Sequence, residues 1–283
     1  MKSLYKYRGV ISVFFAAVCL SFAGILIKMV DWPAIPSYGA RSIFTFVTIL
    51  IYLIKRKHKI YFDLKVFIGS LIFCFMNISF TVATQLTTAG NAIVLQFTMP
   101  IFIILFSWMI FRKKPDKLEI LCSIGVFIGM ICFFIDQLTG KGIFGNIMGI
   151  LSGVTYALVY MMKTLPGYDY DNSLLFSCLM GFILGLPFYG SLDWNLHNVI
   201  FIFLGGAIQT GVGFVLLSYG LELVSPITAA LTSTVEPILN PFWVMLFLGE
   251  MLSPSAILGA GIVLITSLVY NVLSAKALNL KKT

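Results

Sequence analysis

Ten stretches of this chain are long and apolar enough to cross a lipid bilayer, at about 8–30, 36–54, 64–85, 89–111, 117–135, 145–163, 173–190, 197–220, 226–248 and 254–274. A hydrocarbon core about 30 Å thick takes roughly 20 mainly apolar residues as a helix. Inside it the backbone N–H and C=O groups must bond within the protein, which a helix achieves by itself. Only 11% of the residues are charged, against roughly a quarter in a soluble domain. The deficit runs the whole length of the chain. The expected fold class is an all-α polytopic membrane protein with ten transmembrane helices. The longest polar connections, near 55–63 and 136–144, are about ten residues, so function must sit in the helices. The first apolar run, about 23 residues after a basic N-terminus, exceeds the roughly 7–15 residues of a signal-peptide core and has no small-residue cleavage site after it. That helix is therefore expected to stay in the mature protein.

Charge sets the orientation. With the N-terminus inside, 16 of the 19 Lys and Arg fall at cytoplasmic positions, chiefly Lys55–Lys59 and Arg112–Lys117, while Lys28, Arg41 and Lys141 fall at or near the outside. This is the positive-inside pattern, with both termini cytoplasmic and an even number of spans in the cell membrane. The net charge of +8 follows from these loops, which lie near anionic lipid heads. They alternate with spans and form no domain, so no nucleic-acid partner is expected. All five cysteines lie inside apolar spans and read as small buried hydrophobes. His58 and His197 have no partner at metal or triad spacing, and no phosphate loop is present. Neither metal nor cofactor is expected, and the chain does not read as an enzyme.

Two spans echo each other. Asn91–Pro100 and Thr228–Pro237 each place a proline near the middle of an apolar run, and the prolines are 137 residues apart. A proline there frees a carbonyl and kinks the helix. Paired interrupted spans in the two halves of a chain point to a transporter's substrate site. At the same offset Gly69 maps on Gly206, Gln96 on Ser233, and Thr98 on Val235. The unit is five helices, residues 1–140 and 141–283. Five is odd, so the second unit enters the membrane upside down, as an inverted repeat. Glycines at four-residue spacing, such as Gly145, Gly149 and Gly153, allow close helix packing.

The proline-centred helix followed by Leu248-Gly249-Glu250, then Gly259, resembles the end of the EamA repeat of the drug/metabolite transporter superfamily. Lys28 at the end of helix one, Arg41 near the start of helix two, and the run from Tyr219 to Ala230 fit the same pattern. The resemblance covers about 8–274. It implies a two-repeat transporter with a central cavity built from helices one, three, four, six, eight and nine, exporting or exchanging small metabolites. Lys113 stands where the pattern has a glutamate, so the halves differ there.

Glu236 is the eleventh residue of its span, near the bilayer centre. A charge there costs about 2.5–3.5 kcal/mol on insertion scales, which marks it as a functional candidate. It reads as a proton- or cation-coupling site, or as a protonated group that steadies the kink. Asn77, Gln96, Thr98, Met99, Tyr156, Tyr160, Gln209, Ser233, Asn240 and Trp243 are the other candidates for the cavity lining, with Pro100 and Pro237 as hinges. Lys28 and Arg41 are expected to snorkel outward or pair with Asp31, with substrate contact as the alternative. Glu222 and Glu250 read as ion-pairing groups at the inner ends of helices eight and nine. Trp32, Tyr38, Tyr61 and Trp194 read as aromatic-belt anchors.

The function expected is secondary transport of a small organic metabolite, such as an amino acid or amine, by alternating access. Its partners would be that substrate, the lipid bilayer and, through Glu236, protons; the chain would act as a monomer or homodimer. The alternatives are an importer of a cationic metabolite such as a quaternary amine, or a membrane-embedded lipid-handling protein or enzyme.

Overall fold

A computed structural model describes residues 2–87, 89–112, 114–135, 142–248 and 253–280. Lys113, Lys141, Gly249 and Glu250, and the side chain of Lys28, lie outside the described residues. The elements in chain order are α1 (Lys2–Leu20), α2 (Ala23–Lys28), α3 (Ala34–Lys55), α4 (Leu64–Leu86), α5 (Ala89–Gln96), α6 (Met99–Phe111), α7 (Lys117–Phe134), α8 (Ile143–Met161) and α9 (Tyr170–Gly185). They continue with α10 (Leu196–Phe203), a π-helical stretch (Leu204–Val212), α11 (Gly213–Leu223), α12 (Pro226–Thr232), α13 (Val235–Leu248) and α14 (Pro254–Leu280).

Nine helical segments among the described residues are long and apolar enough to span a membrane, from Tyr7–Ile27 to Pro254–Ser274. Their bounds lie within a few residues of the hydropathy reading. The remaining expected span, 226–248, is divided into α12 and α13 by a turn at Ser233–Thr234. The chain is an all-α polytopic membrane protein. Its surface is the reverse of a soluble protein's. Leu64, Leu121, Ile143, Leu196 and Leu268 are exposed, while Ser70, Ser79, Ser152 and Asn172 are fully buried. Lipid tails are as apolar as leucine, so association rests on close packing and on hydrogen bonds between helices.

Polar residues at span starts set where the helices begin. The Asp63 side chain accepts from the Val66 N–H to cap α4, and Asp169 accepts from the Asn172 N–H to cap α9. Asp116 and Glu119 form a reciprocal capping box on α7. Ser225 caps α12 ahead of Pro226, whose missing N–H is harmless at the first helical position. Each cap satisfies N–H groups that have no partner inside the helix.

The most extensive helix pairs are α3 with α9, α7 with α14, α4 with α8, and α1 with α11. The α7–α14 crossing depends on glycine: a methyl on Gly259 would run into the Phe133 backbone. The stripe on α8 meets the α5–α6 connection, where a methyl on Gly153 would crowd the carbonyls of Leu95 and Gln96. The largest core cluster runs through the middle of the bundle, from Val13 and Leu20 through Phe73, Phe97 and Tyr160 to Leu217 and Leu231.

Candidate functional site

Four spans lose regular α-helix partway along. The first turns at Ser21–Phe22, between α1 and α2. The fourth turns at Phe97–Thr98, between α5 and α6, with Pro100 following in the first turn of α6. The ninth turns at Ser233–Thr234, with Pro237 near the start of α13. The eighth widens into the π-helical stretch. The two proline breaks have a local cause. A proline N cannot donate, so the carbonyl four residues earlier, of Gln96 or of Ser233, lacks its helical partner. Tighter bonds close each turn: Ile101 N–H donates to the Thr98 carbonyl, and Glu236 N–H to the Ser233 carbonyl. In the π stretch, side chains take up the displaced carbonyls. Thr45 donates to Gly206 at 2.9 Å, and Thr210 to Gly205 at 2.8 Å.

These irregular segments converge on one cavity of about 50 Å³, enough for a few waters. Leu20 and Ala23 line it from the first break, Gln96 from the second, Gln209 and Thr210 from the π stretch, and Glu236 from the last. Met76, Asn77, Phe80 and Thr81 of α4 and Tyr156 of α8 complete the wall with Phe214, Ile27 and Arg41. A smaller cavity beside it shares Arg41, Asn77, Thr210 and Phe214 and extends toward Tyr38 and Cys178. Irregular backbone at membrane depth is tolerated where it lines such a cavity.

Two ionisable side chains of opposite type line it. Glu236 lies beside Tyr156, and its Oε2 is shielded with no hydrogen-bond partner among the described residues. Arg41 is only 6% exposed, and its Nε is likewise buried without a partner. Among the described residues neither has a salt-bridge partner. The expectation that Arg41 snorkels outward or pairs with Asp31 does not hold. Gly205 and Gly206 let the π stretch press onto α3 and cover the arginine. A methyl on Gly206 would run into the Arg41 carbonyl, and one on Gly205 would sit 2.9 Å from Arg41 Cδ. Arg41 falls eight positions into an apolar span, and that depth is the one signal the sequence carries.

The other candidates separate by position. Asn77, Gln96, Tyr156, Gln209 and Glu236 line the cavity together. Gln209 also donates to the Leu20 carbonyl at 3.3 Å, tying the π stretch to the break in the first span. Tyr160 stands behind Tyr156 and donates to Ser233 Oγ at 2.6 Å, which braces the turn before Glu236. Thr98 bonds back to the Leu95 carbonyl, and Met99 is fully buried in the core. Asn240 packs on Gly24, where a methyl would collide with its amide. Trp243 stacks on Phe22 at 4.5 Å and donates to Ser21 Oγ at 2.8 Å, so it clasps the first break from outside the cavity. Pro100 and Pro237 are buried at their turns.

The end of the bundle that carries Arg56 and Lys163 holds a charge network. Glu222 at the end of α11 accepts from Arg56 at 2.8 and 3.2 Å and from Lys163 at 2.9 Å. Lys163 also reaches Asp171 at 3.2 Å, and Asp171 accepts from Ser218. His58 contacts Asp169 at 2.9 Å, although the two are 111 residues apart in sequence. No spacing rule could have joined them. Burial raises the Asp169 carboxyl, but the Asn172 backbone and side-chain amides together with His58 outweigh it and hold the group below its usual value. The hydrogen bonds that Arg56 donates to Glu222 and Tyr52 raise its guanidinium above the usual value. His58, Asp169 and Asp171 cluster closely enough to share a cation. Lys163 already supplies that positive charge, and Ser218 occupies the other Asp171 oxygen. The residues fit an ion-pair latch better than a metal centre.

Sequence comparison agrees with this architecture. The profile of the EamA-like transporter family matches residues 7–135 and again 143–272. An uncharacterized transporter of Archaeoglobus fulgidus is 23% identical over 267 residues, covering 90% of this chain and 93% of that protein. One from Clostridium kluyveri is 24% identical over 216 residues, covering 71% and 69%. The uncharacterized transporter YwfM of Bacillus subtilis is 26% identical over 209 residues, or 69% of each chain. A solved crystal structure superposes with a TM-score of 0.80 at 11% identity, covering 94% of this chain and 98% of that one, which speaks to the fold alone. With two matches that together span nearly the whole chain, this protein belongs to the EamA-like transporter family of the drug/metabolite transporter superfamily.

Proposed function

We propose that the chain is a secondary transporter that exports or exchanges a small organic metabolite, such as an amino acid or amine, across the cytoplasmic membrane by alternating access. The observation that carries this reading is the convergence of four helix interruptions on one polar cavity that holds Glu236. Interrupted helices supply free backbone groups for a substrate and points about which helix segments can turn. The cavity is too small in this conformation to admit a metabolite freely, so substrate entry requires the surrounding helices to part. Residues 1–140 and 141–283 would be inverted five-helix repeats that rock about the site, with both termini cytoplasmic. The Arg56–Glu222–Lys163–Asp171 network would then latch the cytoplasmic end.

Glu236 is the candidate coupling group. The titratable groups that interact with it are Tyr156 and Tyr160 of α8, and Arg41 of α3 lines the same cavity. Proteoliposomes holding the purified protein test the role. Glu236→Gln should abolish the dependence of solute flux on an imposed pH gradient while the protein remains folded. A gradient dependence equal to wild type in that variant would refute coupling at Glu236. An importer of a quaternary amine is the weaker reading, because the fixed positive charge of Arg41 shares the cavity. The family and the names of its relatives point to transport rather than to an enzyme.

A further inference from the structure

We infer that Arg41 holds a small inorganic anion of the halide class, bound where the smaller cavity meets the central one and distinct from any transported solute. The inference goes beyond the transporter reading and does not depend on it. Arg41 is 6% exposed, and its Nε is buried without a hydrogen-bond partner. Among the described residues it forms no salt bridge. The carboxyl that shares its cavity, that of Glu236, bonds to Tyr156 instead. Nor is the guanidinium free to reach the membrane surface, because the stretch at Gly205 and Gly206 lies against it. A guanidinium keeps its charge at any pH a cell meets. A buried charge with no counter-charge is strongly unfavourable, and more so at membrane depth. Water can satisfy an N–H group but brings no charge; an anion does both.

The space selects a monatomic ion. Arg41, Asn77, Thr210 and Phe214 line both cavities, so the two meet beside the guanidinium. The smaller one has a volume of about 10 Å³, room for one guest the size of a water molecule. A halide is little larger than that, whereas an organic acid brings a carbon skeleton with no place there. The wall also suits negative charge. Bare carbonyls would repel an anion, but hydroxyls cover them: Ser42 donates to the Tyr38 carbonyl, Thr45 to Gly206, Ser177 to Leu174 and Thr210 to Gly205. Asn77 uses one amide N–H on the Phe73 carbonyl at 2.9 Å and keeps its second for the ion.

The purified full chain, exchanged into sodium gluconate, is titrated with sodium chloride or sodium bromide at constant total sodium. The melting temperature should rise and saturate with either halide, since an ion that binds only the folded form stabilises it by mass action. Gluconate, too large for the site, should give no rise. Radiolabelled chloride should bind once per chain. Arg41→Gln should abolish the halide response. With no buried charge left to compensate, its melting temperature in gluconate should equal or exceed that of wild type, which a merely structural arginine would not give. Asn77→Ala should weaken chloride binding about 10-fold, the cost of one hydrogen bond to a charged group. Equal responses to chloride and gluconate, a chloride response that persists in folded Arg41→Gln, or no bound radiolabelled chloride would overturn the inference. If Arg41→Gln does not fold, unchanged chloride affinity in Asn77→Ala overturns it. Solute flux in proteoliposomes tests the transporter reading separately, because halide binding does not require it.

Discussion

Replacing Glu222 by glutamine removes one charge from the network at the Arg56 end of the bundle without changing its shape. The carboxylate accepts two hydrogen bonds from Arg56, at 2.8 and 3.2 Å, and one from Lys163 at 2.9 Å. The Arg56 and Glu222 side chains are 41% and 32% exposed and that of Lys163 is 13% exposed, so solvent screens the Arg56 contact more. Exposed pairs contribute about 0.2–1 kcal/mol each. The part-buried Lys163 contact lies toward the upper end, giving about 1–2 kcal/mol for the set. Lys163 keeps Asp171, so no buried charge is stranded. If the network holds this end shut, the whole amount biases the closed state, and the open fraction should rise about 5–30-fold. Hydrogen exchange of the segment 163–172, read by mass spectrometry, measures this directly. That segment is held by local bonds such as Leu165 N–H to the Met161 and Met162 carbonyls. Its exchange should accelerate by that factor while α14 stays unchanged. Arg56→Gln added to Glu222→Gln should do less than it does alone, because both remove the same contact. Unchanged exchange in 163–172, or equal acceleration in α14, would refute the latch.

Two further predictions use features at opposite ends of α3. Gly206→Ala should lower the melting temperature, since a methyl there meets the Arg41 carbonyl and overpacking costs about 1–3 kcal/mol. Gly261→Ala should be neutral or slightly stabilising, because nothing lies within 4 Å of that position and alanine is the better helix former; equal effects of the two would contradict the packing. Asp169→Asn keeps a side chain able to cap α9 but removes the charge. The Asp169 value is depressed in the folded state, so its contribution is complete above the ordinary carboxylate value of about 4 and is lost as pH falls through the depressed one. The gap in melting temperature between wild type and Asp169→Asn should therefore narrow from pH 6 to pH 3, and a gap that widens would contradict the assignment.

Much of the architecture was legible because its causes are local. A span is recognised by the length of its apolar run, and a proline break by the N–H that proline lacks. Glu236 was conspicuous because a carboxylate in such a run is costly whatever surrounds it. Arg41 was misplaced for the opposite reason. A cation near a span end can snorkel or be covered, and Gly205 and Gly206, more than 160 residues away, decide which. Aromatic character groups Trp243 with the cavity, but the rotation of α13 turns it onto Phe22 and Ser21.

The sequence by itself therefore determined the class of solvent, the spans, and the two turns ahead of Pro100 and Pro237. These depend on transfer free energy and backbone chemistry within about twenty residues. Only the tertiary structure decided which polar groups share a cavity, that His58 meets Asp169, and that Arg41 faces the same space as Glu236. Those outcomes depend on how rigid helices rotate and how closely glycines let them approach, and no pattern confined to one span carries that information.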